Sequence, residues 1–189
     1  MSGTNREEVE VKLPVADAAA ALECIRSAGF HVIAARVFEE NVVLDTPSQS
    51  LRGAGLLLRL RRAGDAVTCT FKGPEIPGPH KRREEREFQA SNFHEALAVF
   101  HGLGYAPSFR YEKYRTEFAR ENEPGHVTLD ETPIGVFIEL EGAPAWIDRT
   151  AEELGFSKSD YNLASYGRLY LDWAAKHPGA PANMVFASG

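Results

Sequence analysis

In the segment EEVEVKLPV, residues 7–15, Val9, Val11 and Leu13 alternate with Glu8, Glu10 and Lys12. Successive side chains of an extended strand point to opposite faces, so this stretch is apolar on one side and charged on the other. The same period of two recurs and predicts strands near 7–13, 39–45, 55–62, 66–72, 82–89, 110–119, 126–130 and 135–141, separated by Gly, Pro and Asp turn signals. Gly64 and Asp65 mark a hairpin turn, and the prolines and glycines of 72–81 make that segment a long loop. Helical signals fall elsewhere: 16–28 with Asp17 before it and Gly29 after it, 91 or 92 to 101 with Asn92 and Glu95 at capping-box spacing, 148–154 ending at Gly155, and 161–176 before Pro178. Grouped strands with a few helices define an α+β fold with a largely antiparallel sheet. The expected organisation is one domain over 1–177 and a loose Pro-, Gly- and Ala-rich tail over 178–189.

The polar faces of these strands have an unusual composition. Alternation groups Arg59 with Arg61, Thr70 with Lys72, Arg83 with Glu85 and Glu87, Lys113 with Arg115 and Glu117, and Glu139 with Glu141. The opposite faces carry Leu58 and Leu60, Cys69 and Phe71, Tyr114 and Phe118, and Ile138 and Leu140. One polar face per sheet is the ordinary antiparallel pattern, and any single strand is explained by it. The whole set is not, because a solvated face mixes Thr, Ser, Gln and Lys, whereas these positions are nearly all Arg, Lys and Glu. Apolar faces that need helices over them, and charged faces that need each other, predict an eight-stranded closed or near-closed β tunnel with helices packed outside.

Composition narrows the partners. The 189 residues carry a formal net charge of −6, against a general role in nucleic-acid binding. No apolar run reaches the roughly 18 residues of a membrane span and the acidic start lacks a signal-peptide core, which reads as a cytoplasmic protein without a membrane partner. Cys24 and Cys69 fall within a predicted helix and strand and read as small hydrophobes. His31, His80, His94, His101, His126 and His177 show no ligand spacing and read as surface or packing residues. No nucleophile-elbow glycines surround Ser159 or Ser165.

Charges lining a tunnel are tolerated when paired or when they coordinate something, so an interior of both signs implies a ligand set of both signs. Arg and Lys match a polyphosphate. Glu binds hard divalent cations, Mg²⁺ or Mn²⁺, which bridge phosphate oxygens. On this reading Glu8 and Glu10 hold metal while Lys12 holds phosphate.

EVEVK at 8–12 resembles the ExExK motif of the CYTH family, the triphosphate tunnel metalloenzymes that include class IV adenylate cyclases, thiamine triphosphatases and inorganic triphosphatases. Further segments agree in order: LDTPSQSLRGAGLLLRLRR at 44–62 with its LRxR, TCTFK ending at Lys72, RREERE, KYR at 113–115, LDETPIGVFIELEG at 129–142, and SYGRLY at 165–170. The likeness spans about residues 6–172. It implies metal coordination by Glu8, Glu10, Glu139, Glu141 and Asp130, and phosphate contacts by Lys12, Arg59, Arg61, Lys72, Arg83, Lys113 and Arg115. Glu85 and Glu87 are implied tunnel residues that orient the bases or help with metal or leaving-group interactions; their register is open, since 82–87 is charged on both faces. One departure matters: the family often carries a tyrosine just before the aspartate of its DTP segment, where this chain has Val43 and Leu44. A Lys–Tyr pair is therefore not carried over, and Asp45 before Thr46 and Pro47 is also good turn chemistry.

The resemblance implies an enzyme that binds ATP, thiamine triphosphate or inorganic triphosphate and cleaves a phosphoanhydride bond, with Lys12 as the general acid/base once its pKa is lowered. The nucleophile is water in a hydrolase and the ribose 3′-hydroxyl in a cyclase; the arrangement around Asn41 leans toward cyclase-like bacterial members. The alternative from another class is a non-catalytic nucleotide or polyphosphate sensor. The outer helices leave faces that can pack into a homodimer.

Overall fold

The computed structural model describes residues 6–187. Strands β1 (Arg6–Val15), β2 (His31–Asp45), β3 (Leu57–Ala63), β4 (Ala66–Lys72), β5 (Lys81–Ala90), β6 (Ala106–Ala119), β7 (His126–Thr132) and β8 (Gly135–Glu141) close into a barrel in the order β1-β5-β4-β3-β2-β6-β7-β8. Every neighbouring pair is antiparallel. Each predicted strand is present. The largest difference is at β2, which starts at His31 rather than near 39 because register shifts between Val32 and Ala34 and between Ala34 and Val37 interrupt its alternation.

Outside the barrel lie α1 (Ala18–Ser27), α2 (Ser50–Gly53), α3 (Phe93–Gly102), α4 (Pro144–Glu153) and α5 (Tyr166–Ala174). Asp17 caps α1 by accepting from Ala20 N at 2.8 Å, and Asn92 caps α3 by accepting from His94 N and Glu95 N. The α4 helix starts four residues before the expected Asp148, since Pro144 occupies its first turn, where a missing N–H costs nothing. Residues 161–165 are not helical as the periodicity suggested: Asn162 pairs with Lys12 of β1, and α5 begins after its cap, Ser165. No helix of the described residues is long and apolar enough to cross a membrane.

The outward faces of the barrel form the cores. Val9, Val11, Leu13, Phe118, Val127, Leu129, Ile138 and Leu140 pack against Ala21 and Ile25 of α1 and Trp146, Ile147 and Ala151 of α4. Val42, Leu44, Leu58, Leu60, Val67 and Cys69 pack against Phe93 at the start of α3. Trp146 lies so close to Gly125 that a Cβ there would meet the indole at 2.4 Å, which excludes any larger residue. A third cluster joins Tyr111, Phe137, Tyr166, Tyr170 and Met184.

Met184 comes from the segment expected to be loose, and the described part of that segment is docked instead. Met184 is fully buried, its N–H donates to Arg110 O at 3.0 Å, and Glu112 N donates to its carbonyl at 2.9 Å. Asn183 Oδ1 accepts from Arg110 N, and Tyr170 Oη donates to Pro181 O. Composition predicted looseness because it does not register one apolar side chain seated in a core; residues 188–189 lie outside the described residues.

Asp45 serves the fold. Its carboxylate accepts from Thr46 N, Leu51 N and Arg52 N at 2.7, 2.9 and 3.0 Å, fastening the turn into α2. Burial alone would raise its pKa, but these backbone donors bring it below the ordinary aspartate value. Asp45→Ala is expected to lower the unfolding free energy by about 2 kcal/mol in urea titrations, as for a charged group serving several backbone donors. A loss under about 0.5 kcal/mol, the scatter of neutral surface substitutions, would remove this role.

Candidate active site

The inward faces of the strands enclose a cavity of about 670 Å³. Nine basic side chains and seven glutamates line it, with Glu39 and Asp130 buried against three of those bases, so the interior concentrates both signs. Of the residues singled out in the sequence, Glu8, Glu10, Lys12, Arg59, Arg61, Lys72, Arg83, Glu85, Glu87, Lys113, Arg115, Glu139 and Glu141 are all on this wall. The register of β5 resolves the ambiguity of its charged run: Glu8 pairs with Arg83, Lys72 with Glu85 and Thr70 with Glu87, so the odd-numbered residues face inward.

These groups are partnered with one another. Lys12 Nζ lies 2.9 Å from Glu10 and 3.2 Å from Glu139. Lys72 pairs with Glu8 and, at 3.3 Å, with Glu85. Arg115 makes a two-pronged contact with Asp130, at 2.7 and 2.6 Å, and a further one with Glu139. Arg59 Nη2 donates to Thr70 at 3.0 Å and is 3.6 Å from Glu87. Arg83 is turned to a structural task, since its Nε donates to Gly73 O and its Nη2 to Gly55 O.

Asp130 differs from the other acids. It is fully buried behind the wall, where it accepts from Lys113 at 2.7 Å, from Arg115 and, at 2.7 Å, from Tyr166 Oη. With that many donors its geometry suits holding cations in place. Tyr166, from α5, reaches into the interior, with Lys12 and Lys113 at 5.3 and 5.0 Å from its ring centroid.

The sequence reading gave no site role to several residues found here, among them His126, which it read as a surface or packing residue. Lys81 is buried on the cavity wall and donates to Glu10. Tyr111 and His126 also line the cavity. Glu39 is buried 3.2 Å from Arg61 and 3.5 Å from Lys113, and Asn41 accepts from Arg61 Nε at 2.9 Å. Extending each i, i+2 row by one step finds Lys81 before Arg83 and Tyr111 before Lys113. His80 also has a partner that its spacing did not reveal: its Nε2 is 2.7 Å from Asp148 Oδ1, which ties the loop before β5 to α4.

The charge states follow from these contacts. Burial opposes the charge on Glu10, but Lys12, Lys81 and Lys72 outweigh it and hold the carboxyl well below the ordinary glutamate value. Glu139 is likewise held down, against burial, by Lys12, Arg115 and Lys113. Lys12 differs from the expectation for a general acid/base: burial works to lower its pKa, yet Glu10 and Glu139 raise it above the ordinary lysine value. The lysine that moves toward neutrality is Lys81, through burial and the nearby Lys12 and Lys72. Glu85 moves the same way, its pKa raised chiefly by burial and also by Glu8 and Glu87.

The chain belongs to the CYTH domain family, whose model matches residues 6–165. A curated relative, the "Putative adenylate cyclase" of Methanocaldococcus jannaschii, is 27% identical over 150 residues, covering 78% of this chain and 85% of the relative. The barrel is shared with a solved "putative adenylate cyclase" of Vibrio parahaemolyticus at a TM-score of 0.78 and 22% identity, over 89% of this chain and 99% of the other. A Hippeastrum "putative adenylyl cyclase" described as having a dominant triphosphatase activity has the same fold at a TM-score of 0.63 and 17% identity, over 88% of this chain and 95% of the other.

Buried carboxylates with depressed pKa values make the barrel acid-labile. Glu39, which burial would raise, is brought down to about 2 by Lys113 and Arg61, so the unfolded chain takes up its proton first as the pH falls. The stability it contributes is full above roughly pH 4.3, the ordinary glutamate value, and is lost as the pH approaches 2. Urea titrations from about pH 5 down to about pH 2 are expected to show a fall in unfolding free energy of about 2–3 kcal/mol from this residue alone, missing in Glu39→Gln. Equal pH dependence in the two proteins would refute the pairing.

Proposed function

We propose that the chain binds the phosphates of a small-molecule triphosphate in the barrel cavity and cleaves one phosphoanhydride bond with the help of Mg²⁺ or Mn²⁺. The observation that carries this reading is a closed cavity whose wall holds both the cations for a polyphosphate and the carboxylates for a divalent ion. Arg59, Arg61, Lys72, Lys113 and Arg115 bind phosphate oxygens, with the arginines offering two donors at once and the lysines a point charge. Lys12, held charged by its glutamates, serves here as a phosphate ligand. The cyclase name of the Methanocaldococcus relative and the triphosphatase activity described for the Hippeastrum protein both support a triphosphate as substrate. They leave water and the ribose 3′-hydroxyl as the two candidate nucleophiles.

The donor set fits a hard divalent cation. Glu8 and Glu10 on β1 and Glu139 and Glu141 on β8 sit on adjacent strands, with Glu10 opposite Glu141. No cluster of three acidic, His or Cys residues with the geometry of a metal site occurs among the described residues. Mg²⁺ commonly uses only one or two carboxylates and completes its shell with substrate phosphate and water. When bound, the ion supplies charge neutralisation on the phosphates and orients the nucleophile. The protein's own part is positioning: fixed cations along a closed wall hold the chain of phosphates, and the glutamates give up lysine partners as phosphate takes them.

Purified protein incubated with ATP, thiamine triphosphate and inorganic triphosphate, with Mg²⁺ or Mn²⁺, is expected to release product from at least one, and chelator to abolish it. Cyclic AMP with pyrophosphate marks a cyclase, and orthophosphate a hydrolase. Metal-dependent binding of all three without product would replace the enzyme by a sensor. Glu139→Gln is expected to lower turnover by about 10²-fold or more while the protein stays folded by circular dichroism. Undiminished turnover in that folded variant would overturn the metal role of Glu139.

A further inference from the structure

The inward row of β6 starts with a phenol. Tyr111 precedes Lys113, Arg115 and Glu117 on the cavity wall and is only 5% exposed. Its ring is fixed on two sides, stacked on Phe109 at 5.9 Å and tilted against Tyr166 at 5.9 Å. Its backbone is fixed on a third, because Met184 pairs with this point of β6 through the hydrogen bonds to Arg110 and Glu112. The hydroxyl accepts a hydrogen bond from Arg59 Nη1 at 3.2 Å. Close by are two buried donors that have no partner among the described residues: Arg59 Nε, and Nδ2 of Asn41, the residue opposite Tyr111 across the β2–β6 pair. Buried donors without a partner are costly, and these two belong to the arginine that donates to Tyr111 and to the residue paired opposite it.

We propose that Tyr111 is a further catalytic residue, whose phenolate oxygen takes the proton of the attacking hydroxyl while Arg59 holds the phosphate beside it. The inference rests on the triphosphate reading above. As the new O–P bond forms, the P–O anhydride bond breaks and its electron pair leaves with the departing phosphate. The proton of the nucleophile passes to Tyr111 Oη, and solvent water removes it before the next turnover.

The electrostatic setting agrees. Burial works to raise the Tyr111 pKa, but Arg59 and Arg61 of β3 and Lys113 of β6 bring it down to about 8. The other ionisable groups around it are Glu39 of β2, bound to Arg61 and Lys113, Glu87 of β5, near Arg59, and Tyr166 of α5, whose own proton is held by Asp130. A base with a pKa close to the working pH is the efficient kind. Activity then rises with pH through about 8 as the phenol ionises.

The test is a pH profile of kcat and KM for wild type and Tyr111→Phe, with folding checked by circular dichroism. The variant is expected to lose about 10²-fold in kcat, with little change in KM, and to lose the rising limb. An unchanged kcat, or a limb that persists in the variant, overturns the proposal. Fluorotyrosine placed at position 111 keeps the ring and lowers the phenol pKa; the limb should move to lower pH, and a limb that stays in place overturns the proposal as well. Ultraviolet titration of tyrosinate in the ligand-free protein reads the group without turnover. One phenol ionising near pH 8 in wild type and missing in Tyr111→Phe supports the assignment. Ionisation only in the ordinary range near 10 contradicts it. Wild type that cleaves none of the three triphosphates would remove the enzyme reading and this role with it, whereas wild-type turnover with an unimpaired Tyr111→Phe removes this role alone.

Discussion

Everything in this barrel depends on neutralising charge inside a closed sheet. A carboxylate or ammonium withdrawn from water without a partner costs several kcal/mol, more than a small domain can spare many times over. The chain meets that cost locally, by setting opposite charges on neighbouring strands at matching positions. Lys12 faces Glu139 across the β1–β8 pair, Lys72 faces Glu85 across β4–β5, and Glu10 faces Lys81 across β1–β5. Barrel closure is what makes this workable, because each strand then has two neighbours to draw partners from. Strand β1 uses both, with Glu10 paired to Lys81 on β5 and Lys12 to Glu139 on β8.

The same constraint sorts the apolar residues. With charges inside, most hydrophobic side chains of the strands point outward, where the helices cover them. This inverts the usual small barrel, in which the interior is the core. The exception is informative: Tyr111 and Phe137 occupy inward positions and join Tyr166 and Met184, so the charged lining gives way to an aromatic floor. That floor depends on α5 and on residues 181–186, which explains why an apparently featureless tail is held by a fully buried Met184 and several backbone hydrogen bonds.

Period two made most of this legible in the sequence. All eight strands follow from alternation, and so does the inward position of the proposed site residues outside β5; Arg83, Glu85 and Glu87 needed the pairing of β5 with β1 and β4 to be placed. Alternation failed where the backbone itself departs from it. The first half of β2 is broken by register shifts and largely exposed, so His31 to Phe38 carry no periodic signal. Pro107 near the start of β6 reads as a strand breaker, though it sits where β2 itself shifts register, between Val43 and Leu44. Glu39 and Glu40 are adjacent acids, and only the three-dimensional arrangement shows that Glu39 turns inward to Arg61 and Lys113 while Glu40 meets Arg62 and Arg110. Asp130 was implied by the family resemblance as a metal ligand, but nothing in the sequence marks it as an acid already engaged by Lys113, Arg115 and Tyr166.

Pairing also decides which groups can move a proton. A network that neutralises charge locks most of its members, since each partner holds the other ionised: Glu10 and Glu139 are driven down, and Lys12 and Arg115 are driven up. Such groups make strong fixed electrostatics and poor acids or bases near neutrality. The members that the network leaves unbalanced are Lys81, crowded by two other lysines, Glu85, crowded by two other glutamates, and Tyr111, set among cations. Lys81 and Glu85 lie against the carboxylates that suit a divalent ion, and an arriving cation would change both. Tyr111 is set apart from them, between Arg59 and the aromatic floor, so its state is governed by Arg59, Arg61 and Lys113. On the proposed function, this separation would put the groups that respond to a divalent ion and those that respond to phosphate on different parts of one wall.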